Sequence, residues 1–333
     1  AKQETYKLIG DIVQEQLIAD VPVGAFLSGG LDSTIIAHHM RDKENYRYYC
    51  ATKSPEDLKR EGSTSDGNYA MALAQEWQLN LKNIPIGSAQ FSKETIRKTL
   101  FYGDDLIADA SQIPSFLITK EASSSSKVIL SGMGADELFL GYSGHQLAKM
   151  AIYLDRLPSF ASNGISNWMS KLDQGNGRFL AYRRYLHKFG KAYKSKANRN
   201  AHFSIVGDYA QAMSIYQAGN DSTESYISSY FDLEQDPFEQ LFKFEYSNFL
   251  QKNLNYLDRM SMANGVEGRV PFMDHRLIEF AYNLPVSYRL GTFGNTKRIL
   301  KDSYAQHIPK QIIKRRKAGF GMPLRSMLRD TKQ

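Results

Sequence analysis

Cysteine is all but missing: Cys50 is the single one in 333 residues. That excludes a disulfide framework and any zinc site built from several thiolates. Cys50 falls in the strand-like stretch YRYYCAT and reads as a small buried hydrophobe. With no disulfides to make, the chain has the cytoplasm as its default setting. No apolar run approaches the roughly 20 residues that a membrane-crossing helix needs. The first stretch, AKQETYKLIGDIVQEQL, is polar and amphipathic, unlike a secretory signal. It also lacks a starting Met, so the chain reads as a fragment or a processed form. Gly-x-Gly-x-x-Gly and Gly-Lys-Ser/Thr are both absent, which removes the dinucleotide fingerprint and the Walker loop. Strong charge is lacking too: charged residues are 23% against 42% hydrophobic, with a net charge of +7. That excess suits a phosphate-rich ligand or nucleic acid and decides neither.

The most informative stretch is Val23–Ser33, VGAFLSGGLDS. Val23, Ala25, Phe26 and Leu27 make an apolar run of strand length. Ser28, Gly29 and Gly30 break it, and Asp32, Ser33 and Thr34 are good helix starters ahead of IIAHHM. The pattern predicts a strand, a small-residue turn and a helix N-terminus. Such a turn gathers backbone N–H groups and the positive end of a helix dipole at one spot, which suits an anion. Glycines let that anion sit against the main chain. Asp32 fits beside a phosphate when a divalent cation lies between them. A tight turn with no ligand would carry the same glycines.

Around this turn the chain alternates. Thr5–Leu17 has helical spacing, Tyr46–Thr52 reads as a strand, Ser63–Trp77 as a helix and Leu79–Ile86 as a third strand. Alternation of this kind predicts an α/β fold with a parallel sheet, whose ligands bind at the carboxyl ends of the strands. A helix is expected from about Pro114. Then KVILSGMGADELFLGY repeats the device: a buried strand over Lys127–Leu130, a Ser131–Gly134 turn, and Asp136 and Glu137 opening a helix. Two such turns at neighbouring strand ends hold both ends of one nucleotide and bring Asp32 and Asp136 to one metal ion. Simple helix capping is the plainer role for Asp136.

Residues 151–248 are aromatic and basic, expected to be helical with loops near 194–200 and 219–225, and no site is read there. From Tyr256, the charges of Asp258, Arg259, Glu267, Arg269, Asp274 and Arg276 stand among Met260, Met262, Val266, Val270, Pro271 and Phe272. This reads as a partly buried network shaping a pocket wall rather than as surface pairs. Last, KRRKAGFGMP sets Lys317 before Gly319 and Gly321, a flexible closing loop whose lysine neutralises charge on a phosphate.

SGGLDS resembles the PP-loop of ATP pyrophosphatases. Together with LSGMGADELFLGY, DRMSMANGVEGRVPFMDHRLIEFA and KRRKAGFGMP, in that order, the chain resembles the synthetase domain of glutamine-dependent asparagine synthetases. The resemblance weakens over 151–248. It implies a sheet of the adenine nucleotide alpha hydrolase (PP-loop) type in residues 1–150. Residues 151–333 would be a mostly helical remainder completing the substrate pocket. It further implies a ligase that adenylates a carboxylate with ATP, releases pyrophosphate and lets ammonia take the acyl group. By that likeness Ser28, Gly29, Gly30, Asp32 and Ser33 hold pyrophosphate, and Asp32 and Asp136 bind Mg²⁺. Leu27, Ser131, Gly132 and Ala51 touch the adenosine, and Lys317 stabilises adenylation. Asp258, Arg259, Glu267 and Arg269 lie near the substrate carboxylate.

Two departures stand out. Met133 occupies a position where these synthetases usually carry Glu or Asp, which weakens aspartate as the substrate. Aspartate or a related acid stays slightly ahead by frequency, with amidation of another carboxylate, such as a uronic acid of surface polysaccharides, as the alternative, since apolar residues occur there in more distant relatives. The glutaminase half is absent from the sequence, so ammonia is expected free, from a lost domain or from a separate partner. No membrane is expected as a partner, and a homodimer is left open. The competing reading, a PP-loop enzyme that adenylates an RNA base, draws on the positive charge and KRRK. It lacks a dedicated RNA domain, so nucleic acid is not the expected partner.

Overall fold

The computed structural model describes residues 1–41, 45–53, 66–87, 90–104, 109–172, 180–194, 199–204, 222–231, 236–292 and 295–315. The chain divides into two compact units, one of Ala1–Leu138, Leu250–Leu284 and Ile299–Gln333, the other of Phe139–Phe249 and Pro285–Arg298. The units interleave along the chain, whereas the sequence expectation cut it once, after residue 150.

The first unit holds the parallel sheet. Its strands are β1 (Val23–Phe26), β2 (Arg47–Thr52), β3 (Asn80–Pro85), β4 (Val128–Leu130) and β5 (Glu267–Arg269), in the order β3-β2-β1-β4-β5. Every neighbouring pair is parallel, with Ala25 opposite Tyr48 on one side and Leu130 on the other. Helices α1 (Lys2–Gln16), α2 (Leu31–Met40), α3 (Asp66–Glu76), α4 (Lys93–Gly103), α5 (Gln112–Ala122) and α6 (Ala135–Leu138) fill the intervals.

This strand order fixes where a ligand belongs. The chain travels outward from β1 through β2 to β3, then crosses back to build β4 and β5 on the other flank. The direction reverses between β1 and β4. In an open parallel sheet the crevice lies at such a reversal, beyond the carboxyl ends of the strands. Both small-residue turns leave from those two ends.

Packing explains the local choices. α1 buries the stripe Thr5, Ile9, Ile12 and Val13. α2 buries Ser33, Thr34, Ile35, Ile36, Ala37, His38 and Met40, which lie on every side of it, so it is an interior helix. Tyr49, Ile84, Ile86, Ile118, Ala122, Ile129 and Val266 form a core against the sheet. Gly24 is required in β1, because a Cβ there would lie 2.7 Å from the Arg47 carbonyl oxygen. Cys50 is buried in β2, as expected. α5 is stitched to the helix Gln251–Met262: Thr119 Oγ1 donates to Met260 O at 3.0 Å, and Asn264 Nδ2 reaches Phe116 O, Thr119 Oγ1 and Met260 O.

The second unit is helical where described, around Leu147, Phe189, Phe203, Leu241, Phe244 and Leu290. Phe189 and Phe203 stack at 5.8 Å. Of the stretches expected to be loops, residues 195–198 and 219–221 lie outside the described residues; the helix Arg199–Ser204 starts at the end of the first, and the helix Ser222–Ser228 takes in residues 222–225 of the second. Inside the unit, His145 Nδ1 accepts the Tyr142 N–H at 3.1 Å, which leaves Nε2–H to donate to Glu245 Oε2 at 2.7 Å. Among the described residues no helix is long and apolar enough to cross a membrane.

Candidate active site

The first turn is built at the carboxyl end of β1. Leu27, wholly buried, still donates its N–H to Tyr49 O at 2.8 Å. The next residues are tied by serine hydroxyls: Ser28 N–H and Oγ lie 3.2 and 3.1 Å from Ser33 Oγ, and Gly30 N–H donates to Ser28 Oγ. Gly29 has φ +66, and a Cβ on it would sit 2.6 Å from Tyr69 Cβ and 2.7 Å from Ala70 N, so no other residue fits against α3.

The carbonyls of the turn are all drawn to one kind of partner, a donor outside it or in α2. Gly30 O accepts from Thr34 Oγ1 at 2.7 Å and Ser33 Oγ at 3.2 Å. Ser28 O and Gly29 O both accept from Arg315 Nη1, at 3.2 and 2.7 Å. The Arg315 guanidinium also lies 4.3 Å from the centre of the Tyr69 ring. With its carbonyls taken by these donors, the turn is held in one backbone conformation, as an anion cradle needs.

The second turn leaves β4. Ser131 N–H donates to the Arg269 carbonyl of β5 at 2.8 Å. Gly134 takes φ +87, and a Cβ on it would strike Met273 Sδ at 2.5 Å. Gly132 faces the first turn directly: a Cβ there would lie 3.0 Å from Asp32 Cβ and 3.0 Å from Ser33 N. The two turns are therefore in contact. Asp32 opens α2 and Asp136 opens α6, each half-buried, with its Oδ1 atom buried. Among the described residues no group of three or more His, Cys, Asp or Glu is placed to hold a metal by itself. Carboxylate oxygens at Asp32 and Asp136 are the hard donors that Mg²⁺ takes, with phosphate oxygens and water to complete its shell, so the chemistry of these two side chains fits that ion.

The remaining expected residues are spread more widely. Ala51 lies half-buried near the carboxyl end of β2, on the same rim of the sheet as Ser28. Asp258 is exposed on the helix Gln251–Met262, and Arg259 pairs with the exposed Asp104 at 3.2 Å. Glu267 and Arg269 form β5. Arg269 spends its side chain elsewhere, with Nε on Glu267 Oε1 at 2.7 Å and Nη1 on Gln16 O and Ile18 O at the end of α1. Arg276 bridges Asp274 and Glu15 of α1 in the same way. Hydrogen bonds from Arg276 hold Glu15 and Asp274 below their ordinary values. The charges from 267 to 276 thus tie β5 and the following segment to α1. Lys317, Gly319, Phe320 and Gly321 lie outside the described residues.

Sequence reasoning missed a cluster beside the second turn. Lys252 Nζ meets Asp109 Oδ2 at 2.5 Å, and Ser111 N–H donates to Asp109 Oδ1 at 2.9 Å. Burial works to raise the Asp109 carboxyl, but those hydrogen bonds hold it below its ordinary value. Burial pushes the Tyr256 phenol up, helped by the negative charges of Asp109 and Glu137. Glu137 itself is buried. The partners are far apart in sequence, so no spacing announces them. A surface hollow of about 290 Å³ lined by Arg41, Glu76, Trp77 and Gln78 sits at the other end of α2 and belongs to neither turn.

A family model described as asparagine synthase matches residues 4–333. The chain belongs to the asparagine synthase family. Among its relatives, "Asparagine synthetase [glutamine-hydrolyzing] 1" of Bacillus subtilis (strain 168) is 28% identical over 340 residues, covering 98% of this chain and 50% of that protein. "Putative asparagine synthetase [glutamine-hydrolyzing]" of Mycobacterium bovis is 29% identical over 330 residues, covering 98% of this chain and 49% of the relative. The chain thus spans about half the length of these asparagine synthase relatives. Among solved structures, an NH3-dependent NAD synthetase from Campylobacter jejuni aligns at 15% identity with a TM-score of 0.30, covering 69% of this chain and 92% of that one, too loose a fit to say more.

Proposed function

We propose that this chain is the synthetase domain of an ATP-dependent amide-forming ligase. The observation that carries the reading is the contact of Gly132 with Asp32, which joins two glycine turns at the reversal point of the sheet. ATP takes the crevice, its phosphates on Ser28, Gly29, Gly30 and Ser33, its nucleoside against Leu27, Ala51, Ser131 and Gly132. Asp32 and Asp136 hold Mg²⁺, which supplies charge neutralisation at the phosphates. A substrate carboxylate oxygen attacks the α-phosphorus, the bond to the β-phosphate oxygen breaks, and pyrophosphate leaves. Ammonia then attacks the acyl carbon, loses a proton and displaces AMP. Ammonia is already nucleophilic, so the protein's work is orientation and neutralisation of charge.

Lys317 is assigned to the transferring phosphate. Lys317→Ala should lower the adenylation rate more than ATP affinity, and the opposite pattern would contradict the role. Asp258 and Arg259 are the proposed carboxylate-side residues. The Arg269 guanidinium bonds to the end of α1 support a framing role for β5 instead.

Half-buried Met133, in the turn between Gly132 and Gly134, favours an acyl substrate other than aspartate. A thioether is uncharged, not a base at neutral pH and only a weak acceptor, so the acid that these synthetases usually carry there has no equivalent. The test is ATP–pyrophosphate exchange over a panel of carboxylic acids that includes aspartate and uronic acids. Exchange with one acid supports the reading and names the substrate; no exchange with any, and no ATP binding, would end it. The relatives' names place glutamine hydrolysis in those whole proteins, and their extra length is the proposed source of ammonia. A cytoplasmic setting goes with this function.

A further inference from the structure

We propose that Arg315 is a positioning residue that locks the first turn in its anion-binding form. The inference rests on the function proposed above. Its starting point is a weakness of the turn itself. Gly29 at φ +66 and Gly30 beside it let the chain approach a phosphate closely, but glycines also let a peptide plane rotate. A flip of the peptide after Ser28 or Gly29 would turn a carbonyl oxygen inward, where it would repel the polyanion. The serine hydroxyls do only part of the work against this: Ser28 Oγ holds the peptide after Gly29 through Gly30 N–H at a long 3.3 Å, and the other bonds described for them reach Ser28 N–H and Gly30 O, outside the peptide after Ser28.

Arg315 bonds the two carbonyls that remain. One nitrogen, Nη1, takes both Ser28 O and Gly29 O. A donor shared by consecutive carbonyls resists rotation of both planes together. The guanidinium is itself placed by the Tyr69 ring at 4.3 Å, and Tyr69 Cβ is the atom that forbids a side chain on Gly29. Turn, α3 and the segment after the helix Lys310–Ile313 thus meet at one joint. The positive charge behind the turn adds to the pull on phosphate. Lysine would not substitute, because its ammonium lacks the flat face that lies over Tyr69.

The test uses the full chain with Arg315→Gln, Arg315→Lys and Tyr69→Phe. Binding of ATP-Mg²⁺ is followed by calorimetry, steady-state constants by pyrophosphate release, and hydrogen exchange in the peptide spanning residues 27–34. Arg315→Gln is expected to weaken ATP binding and raise its KM about tenfold or more, with kcat changed less than threefold. Exchange in the turn should speed several-fold without ATP, while exchange over α1 is unchanged. Arg315→Lys should recover only part of the loss, millimolar ethylguanidinium should partly rescue Arg315→Gln, and Tyr69→Phe should behave as wild type. Unchanged ATP affinity and turn exchange in Arg315→Gln would overturn the proposal. So would a fall in kcat at constant KM, which would make Arg315 a group acting on the reacting phosphate. A loss that follows a lower Tm and resists ethylguanidinium would overturn it as well. If wild type binds no ATP-Mg²⁺, the functional reading fails and this inference falls with it; if wild type binds and Arg315→Gln matches it, only the inference fails.

Discussion

Gly132 and Asp32 touch so closely that a methyl group on the glycine would sit 3.0 Å from the aspartate's Cβ. The contact joins a turn that follows β4 to one that follows β1. Gly132→Ala must push the turns apart by a few tenths of an ångström, with backbone Ser33 N also at 3.0 Å and unable to step aside alone. ATP-dependent turnover should fall at least tenfold in kcat/KM, while Tm moves by only a few degrees. Steady-state pyrophosphate release and a thermal melt check this; full activity in the alanine variant would mean that the turns do not need their present separation.

Asp32 and Asp136 are assigned to one cation, and that assignment has a signature. Asp32→Asn and Asp136→Asn should each lower kcat/KM about 100-fold or more, and the double variant should lose much less than the product of the two. Raising Mg²⁺ should recover part of the loss in each single variant. Losses that multiply, or an Asp136→Asn enzyme with unaltered Mg²⁺ dependence, would separate the two carboxylates.

His38 gives the fold an acid limit. It is buried at the end of α2 among Tyr6, His39, Trp77 and His307, with Arg41 near. Tyr6 OH lies 2.9 Å from Nε2, and Nδ1 is buried with no hydrogen-bond partner among the described residues. Burial first, then the charges of His39, Arg41 and His307, push its pKa from the ordinary 6.5 down to about 3. Between those values the unfolded chain binds a proton that the folded chain refuses. Stability is therefore whole above pH 6.5 and falls as the pH drops toward 3, by ~2 kcal/mol at pH 5. Urea melts at pH 7 and pH 5 should show that His38→Gln loses less than wild type over the interval; equal losses would remove His38 as the cause.

The His145–Glu245 bond is wholly buried in the helical unit. Glu245→Leu would leave the Nε2–H without its acceptor and should cost about 1–3 kcal/mol, with Glu245→Gln costing less. Trp77 and Trp168 are the two tryptophans of the sequence, one in each unit, so variants keeping a single one report the units separately. The loss should be seen first at Trp168. Loss confined to Trp77 would show that the bond does not support the helical unit.

The sequence announced the first turn because its signals are local: an apolar run, two glycines and an acid at a helix start all fall within Val23–Ser33. The second turn was legible for the same reason. β5 was not, because Glu267-Gly268-Arg269 has no alternation and becomes a strand only by pairing with Val128–Leu130. The dense charges around it suggested a pocket wall, yet Arg269 and Arg276 reach back to α1, a destination no spacing reveals. Arg315 was hidden in plain sight within Lys314–Lys317, since its neighbours carry the same charge and only its reach to Ser28 and Gly29 sets it apart.

Pairing of β4 with β5 also sets an order of events during synthesis. Val128–Leu130 leaves the ribosome long before Glu267–Arg269 exists to cover its edge, and the larger segment of the helical unit, Phe139–Phe249, is translated in between. Until then the nascent sheet presents an open border able to recruit strands from other chains. Expression of residues 1–150 alone would make that interval permanent, and insoluble product is the outcome to expect.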